Sequence, residues 1–328
     1  MGDPAGVGPE LCLRLLNRAA IGEVSYIPVV IGNRAILERV SRATGLPFSA
    51  RIQQLTSEGL SSGLDLAGPM VLDLDIPGLE RTVPGQVQAA CGLAAGEFIR
   101  IAVEGTAQSI ADAMLTAPLN KEALNLGGFP FPGHTEMLAS LTGRQGREAM
   151  LLYSEEIAVT FATLHTALSR VPKTLHTETV VQVGKLAAET VGLLRGRDAK
   201  VGVLALNPHA GEAGLFGDEE ERVILPAIER LRAEGIEVEG PLVPDAAFVP
   251  RTRERFDVFV TLYHDQGSIP FKMLAFEEGV NLTMGLPIVR TSPDHGTAFD
   301  IAWKGTASPA SFFAAADLAI RLATARAS

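Results

Sequence analysis

Basic residues are scarce. The 328-residue chain carries 28 Lys and Arg against 38 Asp and Glu, a formal net charge of −10. With no cationic surplus to neutralise a phosphate backbone, nucleic acid is excluded as a partner. A small anionic substrate is not excluded, because a few cations converging on one spot suffice for it. Cysteine is scarcer still: Cys12 and Cys91 are the two present, far apart and each in an apolar, helix-like context. That rules out a disulfide framework and points to a reducing compartment. No apolar run approaches the roughly 18 residues a spanning helix needs, and no signal peptide precedes the first motif. Repeats and low-complexity tracts are also lacking. The expectation is a soluble cytoplasmic protein without membrane contact.

What the chain does have is aliphatic bulk. Hydrophobic residues make up 47% while aromatics make up 5%, a balance suited to helices packed on a largely parallel sheet. The length allows about two domains of roughly 100–200 residues each. Apolar runs read as strands at 26–32, 71–74, 110–116, 149–153, 157–163, 200–206 and 258–262. Helical patterns lie between them, over 10–20, 33–44, 86–107, 178–195, 218–233 and 309–323. The alternation predicts an α/β fold. Residues 56–68, rich in Gly and Ser, read as a surface loop, and 240–249 as a Pro-rich loop carrying Asp245. The Gly2–Gly8 loop, with Pro9 at a helix start, has no strand before it. It is either an N-terminal turn or the remainder of a strand–loop–helix unit that starts upstream.

Chemistry-bearing residues concentrate after predicted strands, where ligands bind in open α/β sheets. His165, His209 and His264 each follow a strand by one to three residues. If those strands are parallel neighbours, the three imidazoles converge on one sheet edge and form a set suited to Zn²⁺ or a similar divalent ion. Gly133-His134-Thr135 opens a helix whose N–H groups could hold a phosphate or carboxylate; the plainer reading is that Thr135 caps the helix. Asn120-Lys121 past a strand end is a further ligand signal, with a helix N-terminus as the plainer reading. Between 264 and 295, His264, Lys272, Asn281, Arg290, Asp294 and His295 stand among Gly and Pro breakers. Lys272 and Arg290 can bind an anionic tail, Arg as a two-pronged donor. His176 lacks a strand-end context and reads as a surface residue. These residues alone allow dehydrogenation, aldol cleavage or hydrolysis, each metal-assisted and on a small anionic substrate.

MGDPAGVGPE, APLNKEAL, GHTE, NPHAGE with GLFGDEE, YHDQG and GVNLTMGLPIVRTSPDHGTAFDIA occur in this order across nearly the whole chain. Together they resemble the 4-hydroxythreonine-4-phosphate dehydrogenase family of pyridoxal phosphate biosynthesis. The resemblance implies two α/β/α domains with a cleft between them, similar to isocitrate and isopropylmalate dehydrogenases and not a Rossmann fold. The expected boundaries are 1–128 plus 284–328 for the first domain and 129–283 for the second. It implies a homodimer with active sites at the interface, and NAD or NADP as cofactor. By resemblance the metal ligands are His165, His209 and His264, the last supplied by the partner subunit. Zn²⁺ is favoured by three imidazoles, with Mg²⁺, Mn²⁺ and Co²⁺ as alternatives. Substrate contacts correspond to His134, Thr135, Lys272, Asn281 and Arg290, and Lys272 and Asp245 match catalytic positions.

The implied reaction oxidises the 3-hydroxyl of 4-phosphooxy-L-threonine, and the resulting β-keto acid loses CO₂ to give 3-amino-2-oxopropyl phosphate. The segment after YHDQG, SIPFKML, resembles instead the catabolic relatives that oxidise 4-phospho-D-threonate or 4-phospho-D-erythronate. A relative acting on a terephthalate dihydrodiol has no phosphate to bind, and the presence of His134, Thr135, Asn281 and Arg290 speaks against that reading. A divalent-metal hydrolase or aldolase using the same histidines is the more remote alternative, and a non-catalytic binding protein for a phosphorylated metabolite a third.

Overall fold

Asn33 and Gly45 show how local sequence sets an element. The Asn33 side chain accepts the backbone N–H of Ile36 at 3.0 Å, and Gly45 ends the helix with φ 73°, a left-handed conformation that costs glycine nothing. The computed structural model describes residues 1–55, 64 and 66–328, so most of the loop expected over 56–68 lies outside the described residues. The described chain divides into two units, Met1–Gly146 with Leu286–Ile320, and Arg147–Gly285 with Arg321–Ser328.

The first unit opens with the Gly2–Gly6 turn and α1 (Gly8–Ala20), followed by β1 (Val29–Gly32), α2 (Arg34–Thr44), β2 (Arg51–Gln54) and β3 (Met70–Asp73). These three strands form a parallel sheet in the order β1-β3-β2. Next come α3 (Ala89–Ala107), β4 (Met114–Leu115), α4 (Lys121–Leu126) and α5 (His134–Leu141). The chain later returns to this unit with β11 (Arg290–Pro293), parallel to β4, and most of α12 (Ala310–Ala327). Leu11, Leu13, Leu16, Ile36, Leu37 and Val71 are buried in its core. A Cβ on Gly92 would lie 1.6 Å from the Ala123 carbonyl oxygen. Only glycine lets α4 lie so close on α3, and that contact seats the Asn120-Lys121 corner. An apolar cavity of about 510 Å³ lies among β1, α3, β4 and α12, lined by Val29, Ile31, Phe98, Met114 and Ile320 among others. Among the described residues no histidine, lysine or arginine side chain lines it.

The second unit contains β5 (Ala149–Tyr153), β6 (Ala158–Phe161), α6 (Val171–Thr174), α7 (Thr177–Arg195), β7 (Val201–Leu204), α8 (Leu225–Ala233), β8 (Val238–Leu242), α9 (Pro244–Ala247), α10 (Pro250–Arg253), β9 (Val258–Thr261), α11 (His264–Ala275) and β10 (Val280–Met284). Its strands run in the order β10-β5-β6-β9-β7-β8. β10–β5 and β5–β6 are antiparallel, while β6–β9, β9–β7 and β7–β8 are parallel. This mixed order differs from the all-parallel, doubly wound Rossmann arrangement. Val159, Phe161, Leu204, Phe259 and Phe271 are buried in the core. Full burial of side chains this size contributes about 1.5–3 kcal/mol each.

The strand read over 110–116 is confined to Met114–Leu115, and the strands β2, β10 and β11 are not among those read from the sequence; two further segments differ in kind. His264–Ala275, read as polar residues among breakers, is a helix that accommodates Pro270 internally. Residues 240–249, read as a Pro-rich loop, contain the end of β8 and the short α9. Pro244 opens α9 at a helix start, where its missing N–H costs nothing, whereas Pro270 lies inside α11 and gives up a helical hydrogen bond, so there tertiary packing overrides the local signal. Among the described residues no helix is long and apolar enough to cross a membrane.

Candidate active site

In the second unit the three strands that precede the histidines are parallel neighbours in the order β6-β9-β7, so their carboxyl ends share one sheet edge. Side chains tie those ends together. Thr163 Oγ1 donates to the Leu262 carbonyl at 2.7 Å. The buried Gln266 accepts from the Leu262 N–H at 2.7 Å and donates to the Ala205 carbonyl at 2.8 Å, bridging the ends of β9 and β7. A Cβ on Gly267 would lie 2.7 Å from Thr261 Oγ1 and 2.8 Å from the Phe161 ring. Its absence lets the first turn of α11 settle on β6 and β9. The HDQG run is therefore built by packing and hydrogen bonding as well as by chemistry, and sequence reasoning missed the parts of Gln266 and Thr163.

His264 is the first residue of α11. Its ring lies 5.9 Å from that of His165, centroid to centroid, and stacks on Phe161 at 6.1 Å. His264 Nδ1 lies 2.6 Å from Asp265 Oδ1, the carboxylate–imidazole pairing that orients histidine ligands. Its Nε2 is 3.5 Å from Ser268 Oγ. His209 follows β7, with its ring 6.4 Å from that of Phe216. Among the described residues of one chain, no group of three His, Cys, Asp or Glu side chains is close enough to hold a metal. The donor types, imidazole nitrogens with a carboxylate against His264, suit a divalent transition ion.

The His209 loop is conformationally costly. His209, Ala210, Glu212 and Ala213 have φ of 52°, 54°, 43° and 54°. Each such residue costs about 1–2 kcal/mol relative to ordinary backbone, and strain of this kind concentrates at functional sites. Asn281, on β10, donates from Nδ2 to Met150 Sδ at 3.2 Å, while its buried Oδ1 has no hydrogen-bond partner. Lys272 on α11 and Asp245 in the first turn of α9 are exposed. His176, read as a surface residue, is exposed at the start of α7.

In the first unit the anion-binding candidates His134 and Arg290 interact. Arg290, the first residue of β11, is 2% exposed and donates to Thr116 Oγ1 from Nε at 3.1 Å and from Nη2 at 2.6 Å. Burial pushes its pKa down to about 9. His134 opens α5, and its buried Nε2 has no hydrogen-bond partner. Burial holds its pKa well below the usual histidine value, and the positive charge of Arg290 adds to the effect. A buried guanidinium and a neutral imidazole, interacting electrostatically, are the side-chain types that recognise an anion. Thr135 is not the helix cap: Gly133 occupies that position with no side-chain cap bond, and Thr135 is the second helical residue. Asn120, by contrast, is a structural cap, accepting the Ala123 N–H at 2.8 Å.

The family model described as pyridoxal phosphate biosynthetic protein PdxA matches residues 25–319. The chain belongs to the PdxA family. D-threonate 4-phosphate dehydrogenase of Salmonella typhimurium is 42% identical over 98% of this chain and 97% of its own length. 4-Hydroxythreonine-4-phosphate dehydrogenase of Desulfosudis oleivorans is also 42% identical, over 98% and 94%. The crystal structure of 4-hydroxythreonine-4-phosphate dehydrogenase from Klebsiella pneumoniae superposes with a TM-score of 0.85, at 40% identity and with 98% of each chain covered. The mixed α/β architecture described above is thus that of solved PdxA dehydrogenases.

This PdxA chain also buries a carboxyl in its Gly-rich turn. Asp3 is 1% exposed; its Oδ1 accepts the Ala5 N–H at 2.9 Å and its Oδ2 has no hydrogen-bond partner. Burial raises its pKa from 3.8 to about 6, against the pull of backbone N–H groups of Ala5 and Asn120. A raised folded-state pKa means that Asp3 contributes most below the unfolded value and that this contribution is lost as pH rises through about 6. Asp3→Asn is expected to stabilise the protein by about 3 kcal/mol above that range and to leave stability near pH 4 unchanged. Chemical denaturation at about pH 4 and about pH 8 measures both; equal effects at the two pH values would refute the assignment.

Proposed function

We propose that this chain, a dehydrogenase of the PdxA family, oxidises a 4-phosphorylated four-carbon hydroxy acid with NAD⁺ or NADP⁺ and a divalent metal. The observation that carries the reading is the histidine arrangement at the shared edge of β6, β9 and β7 in a chain matching PdxA relatives over almost its whole length. His165, His209 and His264 are the proposed metal ligands. When bound, the ion would lower the pKa of the substrate hydroxyl and stabilise negative charge during decarboxylation.

The remaining steps belong to protein side chains. His134, Thr135 and Arg290 are proposed to hold the phosphate, and Asn281 and Lys272 to orient the acid end. The hydride at C3 leaves for the nicotinamide while the 3-hydroxyl proton passes to a protein group, for which Lys272 and Asp245 are the candidates. The β-keto acid so formed loses CO₂. With 4-phosphooxy-L-threonine the products are 3-amino-2-oxopropyl phosphate, CO₂ and NAD(P)H.

A second substrate, 4-phospho-D-threonate, is favoured by the Ser268–Leu274 segment and by the 42% identity to the Salmonella D-threonate 4-phosphate dehydrogenase. It carries a 2-hydroxyl in place of the 2-amino group, and the same machinery serves both. A homodimer is also part of the proposal. Ile269, Met273 and Phe276, at i, i+4 and i+7 on and just beyond α11, are 58%, 81% and 74% exposed, an apolar stripe that burial against a second copy would cover.

The experiment is NADH formation, followed by absorbance, with purified protein, NAD⁺, a divalent metal and each phosphorylated acid in parallel. Turnover of one or both is expected. Preference for the amino acid assigns the biosynthetic reaction, and preference for the hydroxy acid the catabolic one. Metal-dependent cleavage of these substrates without nicotinamide reduction would overturn the dehydrogenase reading in favour of a hydrolase or aldolase.

A further inference from the structure

The loop that presents His209 is held from one direction. Every residue from His209 to Gly214 has positive φ, so the chain makes a left-handed turn that four non-glycine residues do not adopt unaided. Nothing in the loop's composition other than Gly211 and Gly214 favours that shape. Something outside it must fix the entry.

Glu220 does so. It is 4% exposed. Its Oε1 accepts the N–H groups of Leu206 and Asn207, each at 2.8 Å, and its Oε2 accepts Asn207 Nδ2 at 2.9 Å. The same Nδ2 also donates to Glu219 Oε2 at 2.7 Å. A single carboxylate thus closes the two backbone donors leaving β7 and grips the side chain two residues before His209. The glycines fit around it: a Cβ on Gly211 would lie 2.8 Å from Glu220 Oε2, and one on Gly217 would lie 2.4 Å from Asn207 Nδ2. Glu220 also opens a π-helical turn, Glu220–Ile224, ahead of α8. Such turns are rare and frequent near functional sites; here the residue that opens it is the one that reaches back to β7.

We infer that Glu220, acting through Asn207, is a positioning residue for the His209 imidazole. Its hydrogen bonds go to Leu206 and Asn207. It sets the backbone that aims the ring, and the inference rests on the proposed role of His209 as a metal ligand. Removing it is expected to loosen the loop and to weaken metal binding while the rest of the second unit stays folded.

The test uses the full chain without metal and compares Glu220→Gln, Glu220→Ala and His209→Ala with the parent. Gln keeps one oxygen for the two backbone N–H groups but turns an amide NH₂ against Asn207 Nδ2; Ala removes every bond. Amide hydrogen exchange over residues 206–217 is expected to quicken in both Glu220 variants, more in Ala, and to keep the parental pattern in His209→Ala. Co²⁺ affinity, followed by its visible absorption, is expected to fall by about 10–100-fold in the Glu220 variants, the usual effect of losing an outer support of a metal ligand. A merely structural role would lower the melting temperature and leave the Co²⁺ affinity and spectrum of the folded protein unchanged, and that result would overturn the inference. Unchanged exchange over 206–217 would overturn it as well, whatever Co²⁺ does. Retention of Co²⁺ by His209→Ala would instead overturn the metal-ligand reading, and the exchange data would still decide whether Glu220 holds the loop.

Discussion

His209→Ala, which removes a proposed metal ligand, is expected to bind no stoichiometric divalent metal and to lose at least about 10³-fold in kcat/KM, because a metal supplies several kcal/mol of charge stabilisation and each 1.4 kcal/mol is tenfold in rate. The fold should survive. His209 lies in a strained loop after β7, while the second unit's core is formed by residues such as Val159, Phe161, Leu204 and Phe259. Relief of a left-handed histidine is not available to alanine at the same φ, so little stability should be gained or lost. Metal content by elemental analysis, circular dichroism and the NADH assay together check the prediction. Full activity with parental metal content would remove His209 from the ligand set. Loss of activity with metal retained would give His209 a role toward substrate instead. His165→Ala and His264→Ala, the other two proposed ligands, are expected to behave alike.

Much of this site was legible in the sequence because strand ends are. The apolar runs 157–163, 200–206 and 258–262 identify buried strands, and a histidine after each is a simple pattern. That the strands are parallel neighbours was an assumption, and the order β6-β9-β7 meets it. Helix α2 was legible for another local reason, an Asn cap and a terminal Gly. Other parts were not, and the reasons are physical. The α11 sequence contains Gly267, Ser268 and Pro270, all poor helix formers, yet it is a helix because Gly267 allows close packing on Thr261 and Phe161. The support of His209 comes from Glu220, eleven residues on; a glutamate in an acidic helix start reads as a solvated charge until its burial and its bonds to Leu206 and Asn207 are seen. Thr135 read equally as a cap or a ligand because the two alternatives differ by one residue of helix register. Asn120 matched its plainer reading, since a capping Asn and a binding Asn look the same in sequence.

Arg290→Ala is expected to weaken the phosphorylated substrate by about 30- to 4,000-fold in kcat/KM, the range implied by losing one partner of a buried charge pair at about 2–5 kcal/mol. The loss should fall mainly on KM, because the phosphate is not changed in the reaction and its binding is made before the transition state. Arg290→Lys should recover only part of it, since an ammonium keeps the charge and forfeits the two-pronged geometry. The decisive comparison adds the unphosphorylated acid. If Arg290 holds the phosphate, the parent's preference for the phosphorylated substrate shrinks in Arg290→Ala, while turnover of the unphosphorylated acid stays where it was. An equal loss on both would assign the residue to architecture. Stability separates the two cases independently. Burial pushes the guanidinium pKa down to about 9, which still leaves it protonated at neutral pH. The charged form is therefore penalised in the folded state across the neutral range. Arg290→Met, which removes that charge and keeps much of the side-chain volume, should melt no lower than the parent without ligand, and should lose the rise in melting temperature that saturating substrate gives the parent. A group retained at a cost to the ligand-free fold, whose benefit appears when an anion is present, is what a phosphate-binding arginine requires.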